Sequence, residues 1–307
     1  MIFNVIIPTY NRKNVLWRAI KSVLNQKWKF DVNIYIIDDG STDNTKEYIN
    51  KNYNFSNLKY FYKKNWWVWS ARNLWLEKVL LDSNDNNDLI LFLDSDDIFL
   101  DDAFIKIKKI VDKYNDFSFF EFWVIDNLWN KTYYLKNNIE ILAYKDSLEE
   151  KKANWEFFKV LKLDIFINNE YKFPENINWW EDILWWNINK KYKLLASDLI
   201  VRKYYKDWIW ITRDFLDINK VNNFLLVTKK ILELYWYDLK LYNKQKFGLY
   251  NLVYARMLAL SWKRIKSLKY VLIWFYYSFD FFRLFLYLIS LLPFWLILNN
   301  FLLKVKK

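Results

Sequence analysis

The chain has 307 residues, 54% of them hydrophobic, and a formal charge of +12, so it has ample apolar material for a core and is not a disordered chain. It contains no cysteine and no histidine, which excludes disulfides, thiolate nucleophiles, Ser-His catalysis and the usual zinc sites. Any metal must be held by oxygen, as Mg and Mn are.

In chain order, Phe3 to Ile7 is a short apolar run closed by Pro8, and Val15 to Leu24 carries apolar residues at helical spacing. Val32 to Ile37 repeats the apolar run and ends in Asp38-Asp39-Gly40-Ser41. Ser41 or Thr42 is placed to cap a helix through Ile49. Leu58 to Tyr62 reads as a third strand, Ser70 to Leu81 as a helix, and Leu89 to Leu93 as a fourth strand ending in Asp94-Ser95-Asp96-Asp97. Strands alternating with helices at this spacing predict an α/β layer with a mostly parallel sheet. Polar motifs at the carboxyl ends of strands one, two and four fall where open α/β sheets bind ligands. Residues 117 to 215 alternate less regularly, and from Lys220 the pattern is helical, with Val221 to Leu241 and Leu249 to Leu260 the main candidates.

The last of these regions ends in an uncharged run, 284–303, interrupted by Pro293. Basic residues lie on both sides of it, which favours a helical hairpin or in-plane anchor over a single span. No signal peptide precedes the first strand, so the catalytic part is expected in the cytoplasm, at the membrane's cytoplasmic face. Lysines are scattered rather than gathered in one tract, which argues against nucleic acid.

Three carboxylates in Asp94-Ser95-Asp96-Asp97 repel one another, and a cation is the natural remedy. A divalent metal there could bridge a diphosphate and stabilise charge on a leaving nucleotide. Pro8-Thr9-Tyr10-Asn11-Arg12 and Asp38-Asp39 lie on neighbouring strand ends and could clasp a base and ribose, with Tyr10 stacking and Asp39 accepting from an imide N–H. Together these motifs point to a nucleotide. Glu181-Asp182 is a second acidic pair, suited to general-base work because adjacent carboxylates can raise one another's pKa.

IIPTYNR, IDDGSTDNT, NWWVWSARNLW and LDSDD, in that order, resemble the family 2 glycosyltransferases, whose third segment normally reads NxGxxxARNxG. The likeness is close over residues 1 to 115 and looser to 215. It implies a GT-A, Rossmann-like domain over 1–219, with a nucleotide-sugar half (1–115) and an acceptor half (116–219), followed by a helical region, 220–307. It further implies that Pro8, Thr9, Tyr10, Asn11, Arg12, Asp38, Asp39, Arg72, Asp94 and Ser95 line the donor site. Asp96, Asp94 and Asp97 would hold Mn or Mg, and Asp182, ahead of Glu181, would be the catalytic base. The implied reaction is inverting, metal-dependent transfer from a nucleotide-diphosphate sugar, UDP-linked, to a saccharide or lipid-linked acceptor in cell-surface glycan synthesis. Lys203, Lys206 and Arg213 are candidates to neutralise the leaving phosphates. Nucleotidyl transfer to sugar phosphates, or non-catalytic binding of membranes or nucleic acid, are the competing readings.

One departure from the family pattern is systematic. The chain has 2 glycines and 19 tryptophans, whereas glycine ordinarily makes up about 7% of residues. Trp67 and Trp75 stand at family glycine positions, and Trp66, Trp69, Trp179, Trp180, Trp208 and Trp210 crowd segments that read as turns. Glycine at these positions, from a UGA codon read as Gly in the source lineage and written here as Trp, restores sensible loops. An AT-rich genome would explain the abundant Lys and Asn but not the tryptophan.

Overall fold

A computed structural model describes residues 1–26, 29–63, 68–83, 85–130, 137–149, 157–167, 171–172, 181–205, 218–278 and 280–291. The first apolar runs become strands β1 (Phe3–Thr9), β2 (Val32–Asp38), β3 (Leu58–Tyr62) and β4 (Leu89–Phe92). Between them run α1 (Lys13–Leu24), α2 (Thr45–Asn52) and α3 (Val68–Asp82). Then follow β5 (Ile98–Phe99), α4 (Ala103–Lys113), β6 (Phe119–Ile125), β7 (Ile139–Leu142), α5 (Tyr144–Glu149), β8 (Phe158–Lys162), α6 (Asp164–Ile167), α7 (Asp182–Lys191) and β9 (Leu194–Lys203).

Among the described residues the nine strands form one mixed sheet in the order β3-β2-β1-β4-β8-β6-β9-β5, with β7 also on β9. β3, β2, β1 and β4 are mutually parallel, and so are β6 and β9. β8 runs antiparallel between β4 and β6, and β5 is antiparallel to β9. Alternation along β1 splits the core between two faces. Phe3, Val5 and Ile7 meet Leu16, Ile20 and Val23 of α1 and Phe104 and Ile107 of α4, while Ile6 joins Leu76 and Val79 of α3 and Leu184 and Ile188 of α7. Helices therefore cover both faces, which is why these strands read as unbroken apolar runs.

The chain divides into two compact units, one of Met1–Glu175 with Glu181–Trp208 and the other of Asn176–Trp180 with Ile209–Lys307. The second unit contains α8 (Ile218–Tyr242), α9 (Lys244–Leu260), α10 (Arg264–Ser278) and α11 (Phe281–Ser290). Trp274 of α10 is fully buried against Leu252, Ala255 and Ala259 of α9 and Tyr287 of α11. Val221 and Phe224 of α8 pack on Met257 and Leu260 of α9. Gly248 permits the close crossing of α9 and α10, because a Cβ there would run into Ser278. Of the proposed anchor 284–303, residues 284 to 290 lie in α11, and 292–303 fall outside the described residues. No described helix is long and apolar enough to cross a membrane.

One cap expectation fails. α2 begins at Thr45 with Asn44 in the left-handed region as its N-cap residue, and Ser41 and Thr42 instead fasten the loop after β1. The Ser41 hydroxyl accepts the Asn11 N–H at 2.8 Å, and the Asn11 side-chain oxygen accepts the Thr42 N–H at 2.7 Å.

Candidate functional site

The parallel register aligns Thr9 with Asp38 and Ile6 with Phe92. The polar ends of β1, β2 and β4 therefore emerge side by side at one edge of the sheet, which is the ligand edge of such folds. Backbone bonds tie the loops together, with the Asp39 N–H on the Thr9 carbonyl and the Lys63 N–H on the Asp38 carbonyl, both at 2.9 Å. Lys13 donates its backbone N–H to the Asp43 carboxylate at 3.0 Å.

The expected donor-site residues other than the Arg72 side chain fall among the described residues. Pro8 and Thr9 end β1, and the Thr9 hydroxyl is buried without a hydrogen-bond partner among the described residues. Tyr10 leaves 44% of its surface exposed, as a stacking platform requires. Asn11, at φ 51°, holds the loop as described. Asp38 is buried and accepts the Tyr60 hydroxyl at 2.5 Å and the Ser41 N–H at 2.7 Å, so it shapes the loop. That bond, with burial as the larger cause, pushes the Tyr60 phenol far above its ordinary pKa. Asp39 lies within 3.4 Å of Lys63 Nζ. Arg72 is in α3, and its side chain lies outside the described residues, as do the crowded tryptophans 66, 67, 179, 180, 208 and 210.

The acidic motif forms a turn, with the Asp97 N–H on the Asp94 carbonyl at 3.0 Å. The expected relief of its repulsion by a cation is met in part by arginine. Arg202 of β9 is buried, with Nη1 3.4 Å from Asp94 and 3.2 Å from Asp97. The antiparallel pairing of Phe99 with Arg202 brings it there. Asp97 also accepts the Tyr205 N–H at 3.2 Å, so it is built into the scaffold. Arg12 Nη1 stands 3.9 Å from Asp96, linking the first loop to the acidic turn. Ser95 is buried within that turn.

Sequence reasoning missed Arg202. The available signal was a lone arginine inside the apolar strand LLASDLIVRK, but its partners lie more than a hundred residues away. Of the phosphate-neutralising candidates, Lys203 Nζ sits 4.4 Å from the Trp129 ring centroid, and Lys206 and Arg213 lie outside the described residues.

A cavity of about 120 Å³ adjoins the acidic turn, lined by Phe92, Asp94, Lys159, Glu181, Trp185 and Arg202 among others. Glu181 thus faces the same space as Asp94. Asp182 opens α7 next to it and does not line this cavity. Among the described residues no three acidic side chains converge on one metal position. Asp94 and Asp96, with 46% and 23% of their side chains exposed, still fit Mg or Mn, which take one or two carboxylates and complete their shell with substrate phosphates.

Residues 4–192 match glycosyl transferase family 2, and the chain belongs to that family. An uncharacterized glycosyltransferase of Rickettsia conorii is 43% identical over 116 residues, 38% of this chain and 18% of that protein. The chain thus spans less than a fifth of that relative's length. A GalNAc(5)-diNAcBac-PP-undecaprenol beta-1,3-glucosyltransferase of Campylobacter jejuni is 28% identical over 244 residues, 71% of this chain and 73% of that protein. The structure of S. aureus TarS in complex with UDP-GlcNAc aligns with TM-score 0.60 at 18% identity, covering 84% of this chain and 72% of that one. A Pyrobaculum calidifontis mannosyltransferase with GDP-Man and Mn2+ aligns at 0.53 and 12% identity, covering 97% and 85%. The fold is GT-A.

Proposed function

We propose that the chain is an inverting glycosyltransferase that moves a sugar from a UDP-linked donor to a saccharide or lipid-linked acceptor in cell-surface glycan synthesis. The observation that carries this reading is the convergence of Thr9, Asp39, Asp94 and Asp96 at the carboxyl edge of β1, β2 and β4, with Glu181 across a cavity from Asp94. Asp39 and Tyr10 would hold the uracil and ribose. Asp94 and Asp96 would hold Mn or Mg, which when bound neutralises the diphosphate as it departs. Arg202 fixes Asp94, and Asp97 anchors Arg202.

The acceptor oxygen attacks the sugar's C1 as the bond from C1 to the diphosphate oxygen breaks. The acceptor proton passes to a carboxylate of the Glu181-Asp182 pair, and UDP leaves with the bonding electrons. Donor and acceptor classes draw support from the UDP-GlcNAc complex of TarS and from the undecaprenol-linked substrate in the name of the Campylobacter relative. Peripheral contact with the cytoplasmic membrane face, through the cationic and apolar α10 and α11, would keep the enzyme on the surface that carries lipid-linked acceptors.

We propose further that tryptophans at family glycine positions and in turns, Trp67 and Trp75 among the former, are glycine in the protein as its own cell makes it. Support comes from two residues that sequence reasoning did not single out. Trp129 and Trp262 have φ of 64° and 62°, a region that β-carbons disfavour and glycine enters readily. The test of the activity is product analysis with UDP-sugars and manganese. UDP is the expected product, and pyrophosphate would instead mean nucleotidyl transfer.

A further inference from the structure

The helical unit contains a cavity unlike the one beside the acidic turn. It has a volume of about 350 Å³ and is lined by Leu249, Leu252, Val253 and Arg256 of α9 and by Arg283 of α11. Arg256 Nε is buried with no hydrogen-bond partner among the described residues, and burial holds this guanidinium below its ordinary pKa. No described carboxylate pairs with either arginine. The acid nearest Arg283 in sequence, Asp280, caps α11 by accepting the Arg283 backbone N–H at 2.8 Å. A desolvated cation without a counter-ion is costly, and a methionine would pack the same stem without that penalty. Two guanidinium groups at one aliphatic cavity instead suit phosphate oxygens attached to a hydrocarbon body.

The same helical unit also presents exposed faces of matching chemistry. On α10, Ile265 is 88%, Leu272 68% and Tyr276 81% exposed, and Phe281 at the start of α11 is 80% exposed. Lys263, Lys266 and Lys269 are interleaved with them, and neither α10 nor α11 contains an acidic residue. Apolar side chains among unopposed lysines fit an anionic bilayer surface, not bulk water.

We infer that the cavity between Arg256 and Arg283 binds the phosphate headgroup of an anionic membrane lipid, presented by the bilayer on which the α10 face rests. This rests on the peripheral-membrane part of the proposed function and is independent of sugar transfer. The two guanidinium groups clasp the phosphate, and Leu249, Leu252 and Val253 take the first carbons of the lipid.

The test is co-sedimentation of the full chain with phosphatidylcholine vesicles, with and without phosphatidic acid, and with inorganic phosphate as competitor. The expected result is binding to the phosphatidic acid vesicles alone. Arg256→Met should fold, unfold at the same or a higher temperature, and bind roughly tenfold more weakly, the loss of one charge-assisted hydrogen bond. Arg283→Gln, at an exposed position, should weaken binding similarly and decides the matter if Arg256→Met does not fold. Lys266→Gln should change affinity much less. Vesicle binding unaltered in both arginine variants would overturn the cavity site while leaving membrane contact standing. No binding to any anionic vesicle would overturn both. Inorganic phosphate binding as tightly as the vesicles would overturn the lipid assignment.

Discussion

The end of α9 offers a sharp test of the backbone argument. Ser261 is its C-cap residue, the Trp262 N–H bonds the Ala259 carbonyl at 3.1 Å, and the Lys263 N–H bonds the Leu258 carbonyl at 2.9 Å. This is a Schellman ending with Trp262 at the position where the chain turns left-handed, which is usually glycine. Trp262→Gly and Trp262→Ala both remove the indole, 63% exposed, and its contact with the Arg264 guanidinium at 4.7 Å. They differ in the β-carbon alone. The left-handed backbone costs an L residue roughly 1–2 kcal/mol, and glycine's freer unfolded chain takes back roughly 0.4–1 kcal/mol. Trp262→Gly should therefore be the more stable of the two by about 0.5–1 kcal/mol. At Leu226, exposed in α8, the order should reverse, with alanine ahead by about 1 kcal/mol. Urea unfolding of the four variants reads both differences. Alanine equal to or better than glycine at 262 would refute the conformational argument and, with it, the structural support for glycine at the other turns.

Other consequences concern the site. Arg202→Leu removes the guanidinium that offsets the charge of buried Asp97 and should cost about 3–5 kcal/mol in denaturant unfolding; Asp97→Asn added to it should restore part of that loss. Removing the carboxylates of both Glu181 and Asp182 should lower turnover by about 100-fold or more while UDP affinity is kept; the single variants tell which carboxylate takes the proton. Asp43 has its pKa raised by burial but lowered further by bonds from the Thr45 hydroxyl and the Lys13 N–H, so the net position is below the ordinary 3.8. Its contribution is present in full above that pH and lost as pH falls through the lower folded value. The stability gap between wild type and Asp43→Asn should thus close in acid, as pH-dependent unfolding would show. In protein from its native source, the tryptic peptide from Asn65 to Arg72 should have the mass of glycine at 66, 67 and 69.

The parallel half of the fold was legible because β1, β2 and β4 are largely buried on both faces and its motifs sit at strand ends, so residues 3 to 93 announced the elements in chain order. The rest depended on distant pairing. Nothing local indicates that β8 inserts antiparallel between β4 and β6, or that β5 lies beside β9 and so brings Arg202 to Asp94 and Asp97. The acidic turn was read as needing a metal because repulsion is visible in sequence and its relief is not. Helix caps were missed for a similar reason, since Ser41 and Thr42 are good caps by type but are drawn into bonds with Asn11.

Calorimetric titration of UDP, with manganese present, into the chain carrying glycine at 66, 67, 69 and 75 probes the donor site itself. Saturable binding of one UDP per chain is expected, weakened about tenfold or more in Asp96→Asn, in line with a lost charge-assisted contact. A folded chain that takes up no UDP, or one that binds it equally well without Asp96 and without metal, would contradict the assignment of this edge of the sheet as the donor site.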